Sequence, residues 1–230
     1  MKKIILPTYT IKIPSNGKTV SFRPFTVKEE KALLLALQEN NLDTVGAAIR
    51  NTIEVCTFEV VDPDEHPYYD LEFLFLHIRS KSVGEIVDLI GSCSCAPTAK
   101  TEFTVDITKA VVEPNPIDKL KIKIPETNYT VVLRHPSLSD FIETIKAGGK
   151  ANGSGTVAKC ITSIYSDDEV FEYSEQEKTE FVESMSPKQQ SLIAKFLDEM
   201  PMVKLDVSFD CKHCGKHHDQ IMSGFENFFL

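Results

Sequence analysis

No part of this 230-residue sequence is apolar for long enough to cross a bilayer. The longest apolar stretch in the first helix candidate, Ala32 to Leu37, falls far short of the roughly 20 residues a spanning helix needs. A secretory leader is not expected either. Met1-Lys2-Lys3 is basic, but the apolar residues that follow stop at Pro7 after three positions. Positive charge is also scarce: 25 Lys and Arg stand against 34 Asp and Glu, a formal charge of −9. An acidic chain repels phosphate backbones, so nucleic acid is not an expected partner. A chain retained in the cytosol keeps its six cysteines as thiols or metal ligands rather than disulfides.

Catalytic signatures are missing as well. Gly17-Lys18-Thr19 resembles the end of a phosphate-binding loop, but Lys12 stands where that motif needs its first glycine, and a strand pattern follows instead of a helix. Lys150 follows two glycines but precedes Ala151, which offers no hydroxyl for magnesium. There is no H-E-x-x-H, G-x-S-x-G or G-x-G-x-x-G. His66 and His77 read as surface or interface residues, and His135 precedes a proline at a strand-to-helix junction. The carboxylates fall mainly on polar helix faces and caps. A globular protein with 42% hydrophobic residues and no catalytic centre is expected.

What the sequence does contain is itself, twice. Ile11-Lys12-Ile13-Pro14 recurs as Ile122-Lys123-Ile124-Pro125, an offset of 111. The same offset carries Thr19-Val20 onto Thr130-Val131 and Arg23 onto Arg134. Cys93 and Cys95 correspond to Cys211 and Cys214 at an offset grown to 118, a net insertion of seven residues. Two copies predict a pseudo-twofold protein rather than a solenoid. The expected halves are 1–111 and 118–230, joined by a connector at 112–117 that carries Pro114 and Pro116.

Each half predicts the same α+β order: a β-hairpin, several helices, then a strand, a cysteine knuckle and a returning strand. In the first half, Thr10–Pro14 and Thr19–Phe22 flank Asn16-Gly17, which supplies the positive φ of a tight turn. Thr26 and Glu29 have capping-box spacing, as do Ser174/Glu177 and Ser186/Gln189, the last with a proline at the first helical position. Val45, Ala48, Ile49 and Thr52 form an apolar stripe, and Val157, Cys160, Ile161 and Ile164 repeat its spacing 112 residues later. Leu71, Leu74, Phe75 and Ile78 form a third stripe. Each stripe is narrow, so each helix is expected to bury one face. Phe103, Val105 and Ile107, and Val203, Leu205, Val207 and Phe209, alternate with the period of a strand.

Cys211-Lys212-His213-Cys214-Gly215 is a zinc-knuckle pattern. Two thiolates two residues apart can share a tetrahedral ion, and the glycine permits the turn. Cys93-Ser94-Cys95, one residue shorter, offers the second pair and makes a closed structural zinc site of Cys93, Cys95, Cys211 and Cys214. A local alternative joins Cys211 and Cys214 to His217 or His218. A third reading leaves reduced, buried thiols. A redox motif is disfavoured because no helix pattern starts at Cys214. Cys56 and Cys160 lie on apolar helix faces and read as core.

Two features suit protein contact. At Arg23-Pro24-Phe25, one reading has Pro24 fixing a corner, Phe25 filling the core and Arg23 pairing with an acidic cap; the other makes Arg23 and Phe25 a partner-contact corner. Phe225, Phe228 and Phe229 either close the second half's core or anchor a partner.

Leu6-Pro7-Thr8-Tyr9-Thr10 with Arg23 through Lys31, then Leu74 through Glu85, then Cys211 through Leu230 with Gly224-Phe225 and Phe228-Phe229, resemble the signatures of the T-even-type bacteriophage baseplate-hub family. The resemblance spans nearly the whole chain. It implies a part in building the hub and central spike of a contractile-tail baseplate, as hub subunit or hub-assembly factor. Other baseplate-hub proteins are then the partners, and the place of action is the host cytoplasm during assembly or the virion baseplate. The rival readings are a zinc-ribbon binding adaptor unrelated to the virion and a Cys/His hydrolase.

Overall fold

The computed structural model describes residues 4–39, 41–96, 98–113, 120–148, 153–166, 169–171 and 173–223. The fold is α+β. The chain opens with a hairpin, β1 (Tyr9–Lys12) and β2 (Thr19–Phe22), followed by helices α1 (Val27–Glu39), α2 (Leu42–Cys56) and α3 (Tyr68–Ser82). A second hairpin, β3 (Ile86–Ser92) and β4 (Lys100–Asp106), leads through a 3-10 turn at Ile107–Lys109 to the short β5 (Val111–Val112). Then come β6 (Lys121–Lys123), β7 (Tyr129–Leu133), α4 (Leu138–Lys146), α5 (Ser154–Cys160), β8 (Ile161–Ser166) and β9 (Glu169–Phe171). Helices α6 (Glu175–Glu183) and α7 (Pro187–Asp198) precede the last hairpin, β10 (Val203–Asp210) and β11 (His217–Met222). The sheets are antiparallel, in the orders β1-β2, β3-β4, β6-β7-β8-β9 and β11-β10-β5.

Positions 111 apart make the same contacts. In the first hairpin the Ile13 N–H donates to the Lys18 carbonyl; 111 residues on, Ile124 donates to Tyr129, each at 2.9 Å. Gly17 takes the positive φ of +68° that the Asn-Gly turn requires. After each hairpin an arginine turns the corner. Arg23 reaches Glu29 at 3.2 Å and the carbonyl of Pro24 at 2.8 Å; Arg134 reaches Asp140 at 2.6 Å and the carbonyl of His135 at 3.2 Å. Burial alone would raise both carboxyls. Hydrogen bonds from Thr26 and Arg23 to Glu29, and from Arg134 and Ser137 to Asp140, outweigh it and hold both below their ordinary range. The capping boxes at Ser137, Ser174 and Ser186 are complete. At Thr26 only Glu29 does its part, while the Thr26 hydroxyl takes the Lys28 N–H at 3.3 Å.

The helical part of the repeat runs in a different register from the one its apolar spacing predicts. The backbone N–H of Arg23 donates to the Cys56 carbonyl and that of Arg134 to the Cys160 carbonyl. Cys160 therefore matches Cys56, an offset of 104, which also aligns the buried pairs Thr52/Thr156 and Ile53/Val157. Helix α5 then stops. Ile161 and Ile164, expected on its apolar stripe, lie in β8, which pairs with β7 through Val131↔Ile164 and Leu133↔Ile161. Ile161-Thr162-Ser163-Ile164-Tyr165 is β-branched and aromatic enough to prefer a strand once a free sheet edge is present.

Three cores result. The first gathers Ile13, Val20 and Phe22 of the hairpin, Leu33 of α1, Ile49 and Ile53 of α2 and Leu71, Leu74, Phe75 and Ile78 of α3, and it takes Leu138 and Ile142 from α4. The second lies under the four-stranded sheet, with Ile124, Val131, Ile164, Val157 and Ile193. The third sits between the β3-β4 and β10-β5 strands and α3, with Leu76, Val105, Ile107, Val203, Leu205 and Val207. Helix α3 thus departs from the one-face expectation, burying ten of its fifteen residues. Val112, expected to begin the connector, is paired with Val203 of β10. His66 and His77 are half-buried; Asp70, fully buried, accepts from His66 at 3.0 Å and from the Ser15 N–H at 3.0 Å, fixing the first hairpin to α3.

Close approaches at two glycines are unequal in cost. A Cβ on Gly91 would lie 2.3 Å from the Phe209 ring, which cannot flex, whereas one on Gly46 would meet only the terminal methyl of Ile142, at 2.2 Å. Gly91→Ala is expected to cost about 1–3 kcal/mol and Gly46→Ala less, as read by urea unfolding. The two depressed carboxyls contribute stability that is complete above the ordinary carboxylate range and is lost as pH falls through their native values. Asp140→Asn should therefore flatten the fall in unfolding midpoint between about pH 5 and pH 3; an unchanged slope would show that this pair contributes nothing.

Candidate metal centre

The third core places two loops side by side. At the end of β3, the Cys93 N–H donates to the Ala99 carbonyl and the Ala99 N–H to the Ala96 carbonyl, both at 3.0 Å, folding Cys93-Ser94-Cys95 into a tight turn. At the end of β10, the Cys211 N–H donates to the Lys216 carbonyl at 2.9 Å and the Gly215 N–H to the Cys211 carbonyl at 2.8 Å, with Gly215 at a φ of +70°. The two turns are tied directly: the Lys212 N–H donates to the hydroxyl of buried Thr101 at 3.0 Å. Behind them Phe103, Phe209 and His218 stack in series, with ring centroids 4.9 and 4.8 Å apart.

The Sγ atoms of Cys93, Cys95, Cys211 and Cys214 lie within 4.8 Å of one another. Cys93 is 3.8 Å from Cys214 and Cys95 is 3.7 Å from Cys211, so each close pair joins one turn to the other. Four sulfurs around a tetrahedral ion at about 2.3 Å stand about 3.8 Å apart. The cluster is therefore of a size to hold a metal ion, and four soft donors with no vacant position make a closed site. Cys93 and Cys211 are buried beside Ala99, while Cys95 and Cys214 face outward.

The turns prepare the sulfurs unequally. Backbone N–H groups of Cys214 and His213 point at the Cys211 sulfur and bring its thiol down to about 6. The shorter C-x-C turn gives Cys95 no such help. Desolvation and its hydrogen bonds to the neighbouring thiols push it up to about 12. Cys211 is ready to ionise, whereas Cys95 needs a cation beside it to do so. Cys56 and Cys160 are different: burial raises them to about 11 and about 12, as expected of inert core thiols.

The histidine alternative does not form. His217 holds Asp210 at 2.6 Å and Asp219 at 3.1 Å, and His218 is stacked on Phe209. Arg23 and Phe25 are part of the first half's packing: the Arg23 side chain is 17% exposed and bound to Glu29, and Phe25 packs against the first core with its N–H on Ser82. Phe225, Phe228 and Phe229 lie outside the described residues. Thr101 was not singled out from the sequence; its only signal is that it alternates onto the same face as Phe103 and Val105.

A cavity of about 530 Å³ lies between the first hairpin and the second half, lined by Ser15, His66, Tyr69, Arg134, His135 and Phe196 among others. Several of its polar groups are engaged, while the buried His135 Nε2 has no hydrogen-bond partner. Arg134 holds Asp140, His66 holds Asp70, and the Tyr69 hydroxyl meets His135 Nδ1 at 3.3 Å. Burial pushes the His135 imidazole pKa down. The cysteine centre, where four soft donor atoms converge, is the stronger candidate site.

No solved structure matches the chain. Among curated proteins, it is 22% identical to the "Baseplate hub assembly protein gp26" of Enterobacteria phage T4 over 227 residues, 96% of this chain and 97% of that protein. The family model described as "T4 bacteriophage base plate protein" matches residues 6–230, hairpins, helices and cysteine turns together, and the chain belongs to that family.

Proposed function

We propose that this protein acts in assembly of the phage baseplate hub, as assembly factor or hub subunit, through protein–protein contacts and without catalysis. The observation that carries this is the length of the similarity: it covers nearly all of both this chain and the T4 hub assembly protein. The formal charge of −9 suits basic protein surfaces as partners better than nucleic acid. The contact groups proposed are the corner at Arg23 and Phe25 and the aromatic residues Phe225, Phe228 and Phe229. The protein then works in the host cytoplasm while the hub is built, or stays in the virion baseplate.

We further propose that the cysteine centre holds structural zinc, bound by Cys93, Cys95, Cys211 and Cys214, and that the chain is organised as repeat-related halves, 1–111 and 118–230. Zinc would supply the positive charge that lets four crowded thiols ionise together. It would fasten hairpins whose close sulfur pairs are 121 and 116 residues apart in sequence.

The first test is capture of tagged protein from infected cells, with identification of its partners and comparison with finished virions. Baseplate-hub proteins should be enriched; recovery of host metabolic proteins alone would refute the assembly reading. Presence in virions marks a subunit and absence an assembly factor. For the centre, the purified protein should carry about one zinc per chain. Cys211→Ser should abolish it, and chelation should lower the unfolding midpoint and expose four additional reactive thiols. A metal-free protein with an unchanged midpoint would leave the centre as four ordinary thiols.

A further inference from the structure

The turn that ends α2 is built against local preference. Phe58 and Glu59 both have positive φ, +58° and +61°, a conformation that helix ends usually give to glycine. The turn is firmly held. The Glu59 N–H donates to the Glu54 carbonyl at 2.8 Å, and the Thr57 hydroxyl donates to the Ile53 carbonyl at 2.8 Å. Thr57 and Val61 are buried at 0% and 1% exposure, so three residues are pinned between two immovable anchors. The protruding residues are apolar: Phe58 is 49% exposed and Val60 is 70% exposed. A Phe in a strained backbone conformation with half its ring in water gains nothing for the fold that glycine would not give better.

The surroundings define what could cover it. Glu54, Glu59, Asp62, Asp64 and Glu65, all exposed, flank the turn in sequence, Asp64 paired with Arg50 at 3.5 Å, and no Lys or Arg occurs from Asn51 to Ile78. We infer that the turn Phe58–Val60 is a docking knob whose partner is a baseplate protein presenting an apolar socket rimmed by Lys and Arg. This rests on the assembly reading above and moves its anchor: Phe25 is tucked into the first core, whereas Phe58 stands out 33 positions later on a turn that closes on the same corner through the Arg23–Cys56 hydrogen bond. An exposed aromatic flanked by acidic residues suits an arrangement in which the aromatic concentrates binding energy and the charges set orientation and rate.

The test compares the full-length chain with Phe58→Gly and Glu59→Gly. Each variant relieves one positive-φ position; only the first removes the knob. Immobilised proteins are exposed to an extract of infected cells, and every baseplate protein retained is quantified at low and high salt. Phe58→Gly should lose its baseplate partner about thirtyfold. Glu59→Gly should keep it within about threefold, and retention by the wild type should weaken with salt. The unfolding midpoint of Phe58→Gly should equal or exceed that of the wild type, since strain is released. Equal retention by Phe58→Gly and wild type would overturn the knob and leave the assembly reading standing. A lowered midpoint for Phe58→Gly would overturn it too, by showing the ring to be structural. Failure of the wild type to retain any baseplate protein would overturn both.

Discussion

Leu74, Phe75 and Leu76 are consecutive on α3, and all three are buried. Successive residues of an α-helix point about 100° apart, so no single neighbour can cover them. Leu74 and Phe75 belong to the first core, and Leu76, on nearly the opposite side from Leu74, belongs to the third. This one helix obliges the chain to build on both of its sides. The opening hairpin and α1, α2 and α4 come to one side; the β3-β4 and β10-β5 strands come to the other. The meeting of the cysteine turns is a consequence. Two hairpins called to the same helix face bring their loops together.

The positions 111 residues apart that make the same contacts are worked into that plan with unequal results. The hairpin, the arginine corner and the buried Thr-Ile/Val-x-x-Cys turn of helix are alike in both halves. Beyond Cys160 the second half substitutes strands for helix and earns a separate core under a four-stranded sheet. Its α4, with Ile142 seated over Gly46 and Phe141 stacked on Tyr68 at 4.5 Å, packs across onto the first half. The halves therefore share side chains at α4 and share a sheet where β5 joins β10.

Much of this was legible because it is local chemistry. Asn16-Gly17, the serine caps with Glu177 and Gln189, and the alternation from Val203 to Phe209 each specify their element through a few neighbouring atoms. The four cysteines were readable as one cluster because the repeat pairs their positions. Less legible were outcomes decided at a distance. The apolar spacing of Val157, Cys160, Ile161 and Ile164 suits a helix and a buried strand alike, and the free edge of β7 decided for the strand. The stripe on α3 showed which residues face one core but not that Leu76 and Phe73 would find another. Nothing in Phe58 or Glu59 announces positive φ, since neither residue favours it; only the anchors Thr57 and Val61 impose it.

The third core has one further consequence, for the order of events as the chain is made. Its β3-β4 wall is complete by Asp106, but Val203, Leu205 and Val207, which cover that wall, emerge about a hundred residues later. At the usual speed of synthesis, about 5–20 residues per second, Val87, Leu89, Phe103 and Val105 wait several seconds without their cover. Two of the four sulfurs wait with them. The ribosome thus holds, for that interval, a chain with a bare apolar hairpin and half of the cysteine cluster, and the last hairpin is the step that takes both out of circulation.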